Sequence, residues 1–337
     1  MAPARSSLPH RALGRTGRDV SVIGLGTWQL GADWGDVSDE DAAAVLAASV
    51  DAGVTLFDTA DVYGDGRSEQ IIGRFLATHP GHGITVATKM GRRQEQRAEN
   101  YTADNFQVWT DRSRRNLGVE TLDLVQLHCP PTAVLDDERT FDALDGLVDA
   151  GAIAAYGASV ETVAQGLRVL GRPGLANVQM IINPFRLKPL DEFLPAAADA
   201  GVAVLARVPL ASGLLSGRYT TATTFSDADH RSYNREGQAF DKGETFSGVD
   251  FETGVAAATE LSAALPGGVS LPAATLAWVV AQPGVTAVIP GARTPAQATA
   301  NAAAASALDD PEAYAAFDAA VHEVYDRRLR GAIHPQW

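Results

Sequence analysis

Four side chains of unlike chemistry stand just past apolar runs at separate points of this 337-residue chain. The run 54–57 turns abruptly polar and delivers Asp58 and, five residues on, Tyr63, ahead of Gly64. The run 84–88 ends in Lys89, and the run 122–127 ends in His128. A phenol titrates near pH ~10, so alone it is a poor proton donor at neutral pH. A charged neighbour changes that, and Lys89 and His128 are the groups on offer. Four such groups can act together only if their strands end at one place.

The elements that would bring them together alternate along the chain. Apolar, β-favouring segments occur at 22–26, 54–57, 84–88, 122–127, 155–158, 178–181, 202–206 and 285–289. Helical patterns lie between or after them at 39–52, 68–77, 103–117, 138–150, 161–170, 190–200 and 295–307, several closed by a glycine such as Gly53, Gly118, Gly151 or Gly201. Strand–helix alternation predicts a parallel sheet. Eight strands without a break in composition predict an α/β fold, a (β/α)8 TIM barrel forming one domain over 1–337, rather than an open doubly wound sheet. In a barrel, strand ends on one face build the active site. Gly24-Leu25-Gly26 is not a dinucleotide fingerprint, because the third glycine comes late and no helix opens there. Residues 11–21 read as a β-hairpin around Gly14-Arg15-Thr16-Gly17. Helices at 252–265, 271–281 and 311–329 flank the barrel. Residues 220–250, rich in Thr, Ser, Asp, Gly and Arg, read as a lid or mobile segment, and Trp337 as either a frayed end or a group at the site's rim.

A net charge of −14 and a pI near 4.9 argue against a nucleic-acid partner, which needs a basic face. They leave room for an anionic ligand on a local arginine cluster. The single cysteine, Cys129, rules out a disulfide framework and a cysteine-based metal site, and reads as a packed residue. No metal is expected. The first ten residues lack an apolar signal core, and no run is long and apolar enough for a membrane span. A cytoplasmic protein is expected. The histidines other than His128, including His82 and His230, read as solvated.

Asp58, Tyr63, Lys89 and His128 in this order, together with GLGTWQLG at 24–31, FDTADVYGDGRSE at 57–69, LDLVQLHCPP at 122–131, PLASGLLSGRY at 209–219 and VIPGARTPAQATAN at 288–301, resemble the aldo-keto reductases over nearly the whole chain. The similar branch also includes the β-subunits of voltage-gated potassium channels. The resemblance implies a hairpin that plugs the bottom of the barrel and reduction of an aldehyde or ketone to an alcohol, or the reverse, by a nicotinamide. It implies Tyr63 as general acid, Lys89 beside it lowering its pKa, Asp58 holding Lys89, and His128 orienting the carbonyl oxygen. Trp28, Trp34, Tyr63 and His128 would line the substrate mouth; Tyr101 reads as either a further lining residue or a loop anchor, and Trp34 too can be read as an anchor.

The resemblance also carries cofactor positions. Gly26, Thr27, Trp28 and Asp58 fall near the nicotinamide and its ribose, and Ser159 and Gln179 match the pair that holds the carboxamide. An Asn common after that Ser is Val160 here. Arg207 stands where many members stack an aromatic on the ring; a guanidinium can stack too. Val208, Leu210, Gly213 and Arg218 match the pyrophosphate loop. Gly291, Arg293, Gln297 and Asn301 match the adenosine corner. A Lys and an Arg that often face the 2′-phosphate are Gly291 and Gln297 here, which leaves Arg293 as the cation of that loop. NADPH (NADP+) is the expected cofactor, with NADH as the alternative. Two other readings stand beside this one: a regulatory cofactor-binding protein on the same scaffold, and a non-redox barrel enzyme with Lys89 as a Schiff-base nucleophile.

Overall fold

The computed structural model describes residues 8–31, 37–81, 83–227 and 229–337. Strands β1 (His10–Ala12) and β2 (Asp19–Ser21) form an antiparallel hairpin. Eight parallel strands follow: β3 (Leu25–Gly26), β4 (Leu56–Asp58), β5 (Thr85–Met90), β6 (Leu124–His128), β7 (Tyr156–Ser159), β8 (Leu175–Ile181), β9 (Ala203–Arg207) and β10 (Ala287–Val288). Each pairs with its neighbours in sequence order. The first and last meet through parallel bridges Ile23↔Val288 and Gly26↔Gly291, so the sheet closes on itself as a (β/α)8 barrel. Gly26 sits in that seam, where a Cβ would meet the Ile289 carbonyl oxygen at 2.9 Å.

Two cores divide along the strands. Leu56, Ala87, Leu124, Ala155, Ala176, Ala203, Leu205, Ala287 and Ile289 form one buried cluster, to which the hairpin contributes Leu13 and Val20. The hairpin is the expected plug, and Arg15 ties it to the carbonyls of Pro173 and Ala200 at 2.8 and 2.6 Å. Phe57, Val86, Val125 and Leu127 join the larger cluster between sheet and helices. Successive strand residues point to opposite faces. If Leu56, Ala87 and Leu124 face the lumen, so do Asp58, Lys89, Gln126 and His128. The lumen is therefore apolar at the plugged end and polar at the end where the four candidate groups stand.

Most helices begin at a residue suited to cap them. Ser38, Thr102, Asp137, Thr162 and Thr294 each accept a hydrogen bond from a backbone N–H of the first turn. The helix expected over 190–200 is two pieces, Lys188–Asp191 and Phe193–Asp199. Pro195 has no N–H to close a bond on Asp191, which accounts for the break. The last helix runs Pro311–Val324 and then widens into a π turn, Tyr325–Leu329.

The segment 220–250 is a folded strap rather than an open loop. It contains the helical turn His230–Tyr233 and the 3-10 turns Lys242–Glu244 and Phe246–Gly248. The Asn234 side chain accepts from the N–H groups of Ala239 and Phe240. The Ser212 hydroxyl donates to the Glu244 carbonyl and accepts from the Phe246 N–H, both at 3.0 Å. Trp337 is not frayed. It is buried, stacks 4.0 Å from the Arg186 guanidinium, and donates from Nε1 to Asp241 of the strap at 3.1 Å. Among the described residues no helix is long and apolar enough to cross a membrane.

Candidate active site

Sheet register brings three of the four groups together, and the turn after β4 delivers Tyr63. Asp58 pairs with Ala87, Lys89 with Gln126, and His128 with Ser159, so each group lies one strand over from the next. Lys89 Nζ donates to Asp58 Oδ1 at 2.5 Å and to the Thr59 carbonyl at 2.9 Å. The other Asp58 oxygen accepts from Gln179 Nε2 at 2.7 Å and from Gln126 Nε2 at 3.4 Å. Lys89 Nζ lies 5.3 Å from the centre of the Tyr63 ring. The His128 ring meets the Tyr63 ring edge-on at 6.0 Å. Three successive residues with positive φ follow Tyr63: Gly64 (φ 57), Asp65 (φ 53) and Gly66 (φ 93) turn the chain back into the helix Arg67–Thr78.

The titration behaviour differs from the expected pattern at one point. Burial pushes the Tyr63 phenol well above its ordinary 10, and the Asp58 carboxylate pushes it further. Arg92 and Arg207 oppose the rise. Burial lowers the Lys89 pKa, opposed by Asp58. Burial also drops His128 well below 6.5, helped by Arg92, Lys89 and Arg207, so its imidazole is neutral. Its Nδ1 is buried and meets no hydrogen-bond partner among the described residues.

The mouth has an aromatic wall. Trp28 stacks on Tyr63 at 6.0 Å, and His230 and Phe240 of the strap pack on Trp28 at 5.2 and 6.0 Å. His230 is thus a buried member of this wall, not a solvated histidine. Tyr101 does not reach the mouth: it packs edge-on against Phe106 and Trp109 and donates to Gln96 at 2.8 Å. Trp34 and His82 lie outside the described residues.

Beside the tetrad sits a second charged group. Arg207 pairs with Glu161 at 2.8 Å and Glu244 at 3.3 Å, and Arg92 pairs with both at 3.2 Å. Arg207 also donates to the Val160 carbonyl at 3.2 Å, and Arg92 to the His128 carbonyl at 3.3 Å. Burial pushes Glu161 up, whereas in Glu244 the desolvation is overcome by Arg207 and Arg92, which hold its carboxyl below the usual carboxylate range.

The profile of the Aldo/keto reductase family matches residues 22–322. The chain belongs to this family. It is 29% identical to an aldo-keto reductase, YhdN, of Bacillus subtilis (strain 168), over 86% of each chain. It superimposes on the glycerol dehydrogenase of Gluconobacter oxydans with a TM-score of 0.75 and 30% identity, over 95% of this chain and 96% of that one. It is also 29% identical to a probable voltage-gated potassium channel subunit beta of Oryza sativa subsp. japonica, over 85% of this chain and 87% of that one. Membership in this family makes the chain an oxidoreductase of the aldo/keto reductase type.

The residues expected to hold an aldo-keto reductase's cofactor fall into two groups. Thr27, Trp28, Ser159, Gln179 and Arg207 ring the tetrad. Thr27 is buried and donates to the Asp58 carbonyl at 2.8 Å. Ser159 and Gln179 are direct partners across β7 and β8, although Gln179 already gives one N–H to Asp58. The Arg207 guanidinium is held by two carboxylates, Glu161 and Glu244. The second group lies farther out. Val208, Ala211, Ser212 and Gly213 take positive φ, and a Cβ at Gly213 would meet the Tyr219 hydroxyl at 2.3 Å. Leu210 is half-buried and Arg218 exposed. Arg293 is exposed just ahead of the helix Pro295–Ala303. Gln297 accepts from the Arg293 N–H at 2.7 Å, and Asn301 donates to the Gly291 carbonyl at 3.2 Å.

Sequence reasoning missed Arg92, Glu161, Glu244, His230 and Phe240. Arg92 and Glu161 carry a signal in retrospect, since each is a charge shortly after a strand end already singled out. Glu244, His230 and Phe240 carry none, because they lie in a segment without periodicity.

Proposed function

We propose that this protein is an NADPH-dependent aldo-keto reductase that converts an aldehyde or ketone to an alcohol, or runs the reverse oxidation, as a single cytoplasmic barrel domain. The observation that carries the reading is the buried Asp58–Lys89 pair seated against the Tyr63 ring, with a neutral His128 at the ring's edge. Three features suit a dinucleotide. Ser159 and Gln179 offer polar groups beside the tetrad. The backbone takes positive φ at Val208, Ala211, Ser212 and Gly213, a conformation of the kind found in anion-binding loops. The Thr294-capped helix N-terminus with Arg293 beside it favours a phosphate. A bound reduced nicotinamide supplies the hydride.

Tyr63 then delivers the proton to the carbonyl oxygen as general acid. Its raised pKa keeps the phenol protonated until negative charge develops on that oxygen. Lys89 stabilises the phenolate left behind, and Asp58 keeps Lys89 charged in spite of its burial. His128 is neutral and so donates a hydrogen bond to the carbonyl oxygen without competing for the proton. The wall of Trp28, His230 and Phe240 excludes water and selects a substrate with a flat or apolar face.

The test is the loss of reduced-nicotinamide absorbance with NADPH and with NADH against a panel of aldehydes, ketones, sugars and pyridoxal. Consumption with at least one carbonyl is expected. Borohydride trapping of a carbonyl on Lys89 without nicotinamide consumption would replace this reading with Schiff-base chemistry. Tight nicotinamide binding with no turnover on the panel would favour the regulatory role that the similarity to a channel subunit suggests.

A further inference from the structure

The four charges beside the tetrad form a closed square. Arg92 and Arg207 each touch Glu161 and Glu244, at 2.8–3.3 Å, and none of the four side chains is more than 22% exposed. Three corners belong to the barrel: Arg207 ends β9, Arg92 lies two residues past β5, and Glu161 two residues past β7. The fourth, Glu244, arrives on the strap. By formal charge, two guanidinium groups against two carboxylates, the square is neutral with Glu244 in place. Without it, two guanidinium groups face one carboxylate, and the mouth carries a net positive charge where water is largely excluded.

Cys129 Sγ approaches the same two carboxylates, and one ligand atom from each of the three lies within 4.8 Å of the others. A cation does not suit that corner. Both carboxylates are committed to guanidinium groups, which would repel it, and burial pushes the Cys129 thiol up to about 12, far from the thiolate a metal needs.

Arg207 instead fixes where the charge of the square is felt. Its guanidinium bonds the Val160 carbonyl next to Ser159, and Ser159 is paired with Gln179. On the reading above, which this inference rests on, the nicotinamide ring is held there. The oxidised ring carries one positive charge and the reduced ring none. A site with uncompensated arginines therefore discriminates between the two forms. We propose that Glu244 makes the strap a charge gate on the oxidation state of the cofactor: with the strap closed, Glu244 cancels the excess charge of Arg92 and Arg207 and the oxidised form is accepted, and with it withdrawn the same site favours the reduced form.

The experiment is equilibrium binding rather than turnover. Dissociation constants for NADPH and NADP+ are measured by tryptophan-fluorescence quenching or calorimetry on the parent, Glu244→Gln, Glu244→Asp and Glu161→Gln proteins. Gln keeps the shape of Glu and removes one charge. The ratio Kd(NADP+)/Kd(NADPH) is expected to rise on the order of tenfold in both Gln variants, the size of effect one unit charge has at about 12 Å through an effective dielectric near ~20. Glu244→Asp keeps the parent ratio. Glu161→Gln removes the same charge from the barrel side, so it decides the matter if Glu244→Gln unsettles the strap. Equal weakening of both forms, or an unchanged ratio in Glu161→Gln, overturns the gate while leaving the reductase reading intact. A parent that binds neither form overturns both.

Discussion

The Asp58–Lys89 pair and the square of Arg92, Glu161, Arg207 and Glu244 are both buried ionic groups at one barrel mouth, yet they are held in different ways. Asp58 and Lys89 stand on adjacent strands, and their meeting follows from the register Asp58↔Ala87 and the two-residue alternation of the strands. Neither can leave without breaking the sheet. Glu244 reaches its partners on a segment fastened by side-chain bonds, those of Ser212, Asn234 and Trp337 among them. One group is fixed by the backbone lattice, the other by contacts that can be released. Burial alone does not tell them apart, since removing one partner from a buried pair leaves a stranded charge in either case. What differs is whether the stranded group can find water.

The largest effect should come from Tyr63, the acid seated against the lattice-held pair. Tyr63→Phe is expected to lower turnover by roughly 10²–10⁴-fold while cofactor affinity stays near the parent value, because the ring remains and only the transferable proton is lost. Near-normal kcat in the variant would move the acid elsewhere and dissolve the contrast.

Next comes stability. Lys89→Met strands the Asp58 carboxylate in the lumen and should cost about 3–5 kcal/mol in urea unfolding. Adding Asp58→Asn should restore part of that, since the two act as one unit; strict additivity in the double-mutant cycle would show otherwise. Glu244→Gln should cost clearly less, because the strap can move outward. Equal losses for Lys89→Met and Glu244→Gln would mean the strap is as rigid as the sheet.

A smaller effect belongs to His128. Its folded-state pKa lies well below 6.5, so below that pH the unfolded chain takes up a proton that the folded site refuses. Stability should therefore fall as pH drops from 6.5 toward the folded pKa, by up to about 1.4 kcal/mol per pH unit. His128→Gln should flatten this limb; an unaltered slope in the variant would assign the acid sensitivity to other groups. The smallest effect is at Arg293. Arg293→Ala should reduce kcat/KM with NADPH by roughly two- to fivefold and leave NADH unchanged, as expected for one exposed ion pair. Equal losses with both cofactors, or a parent that prefers NADH, would refute the phosphate role.

The same contrast explains what the sequence reveals. Every strand of the barrel has an apolar β-favouring run, and the group that ends the run is aimed by period-two geometry, so Asp58, Lys89, His128, Ser159 and Arg207 could be assembled on paper. Tyr63 follows from its distance to the strand end. The direction of its pKa did not follow, because it is set first by how deeply the phenol is buried and then by the Asp58 carboxylate near it, which residue types do not encode. The strap was legible only as an absence of pattern. Its polar composition hides His230 on Trp28 and Glu244 between two arginines, contacts set by tertiary packing rather than by local propensity. Tyr101 stayed open for the converse reason: a loop aromatic near a site is as easily an anchor, and here Phe106 and Trp109 supply its packing.

The seam of the barrel has a consequence for how the molecule comes into being. Residues 22–26 have β4 on one side but complete the other side only with 288–291, and Arg11 of the hairpin bonds the carbonyls of Val280 and Val285. On the ribosome, seven strands and their helices emerge before the first strand can be covered. Until then the nascent sheet has two open edges, each a row of unpaired peptide groups of the kind that pairs with other chains. Contacts so distant in the chain form late. The polar groups of the mouth can be lined up early by neighbouring strands, but the ring that encloses them closes only when the last βα unit has left the exit tunnel.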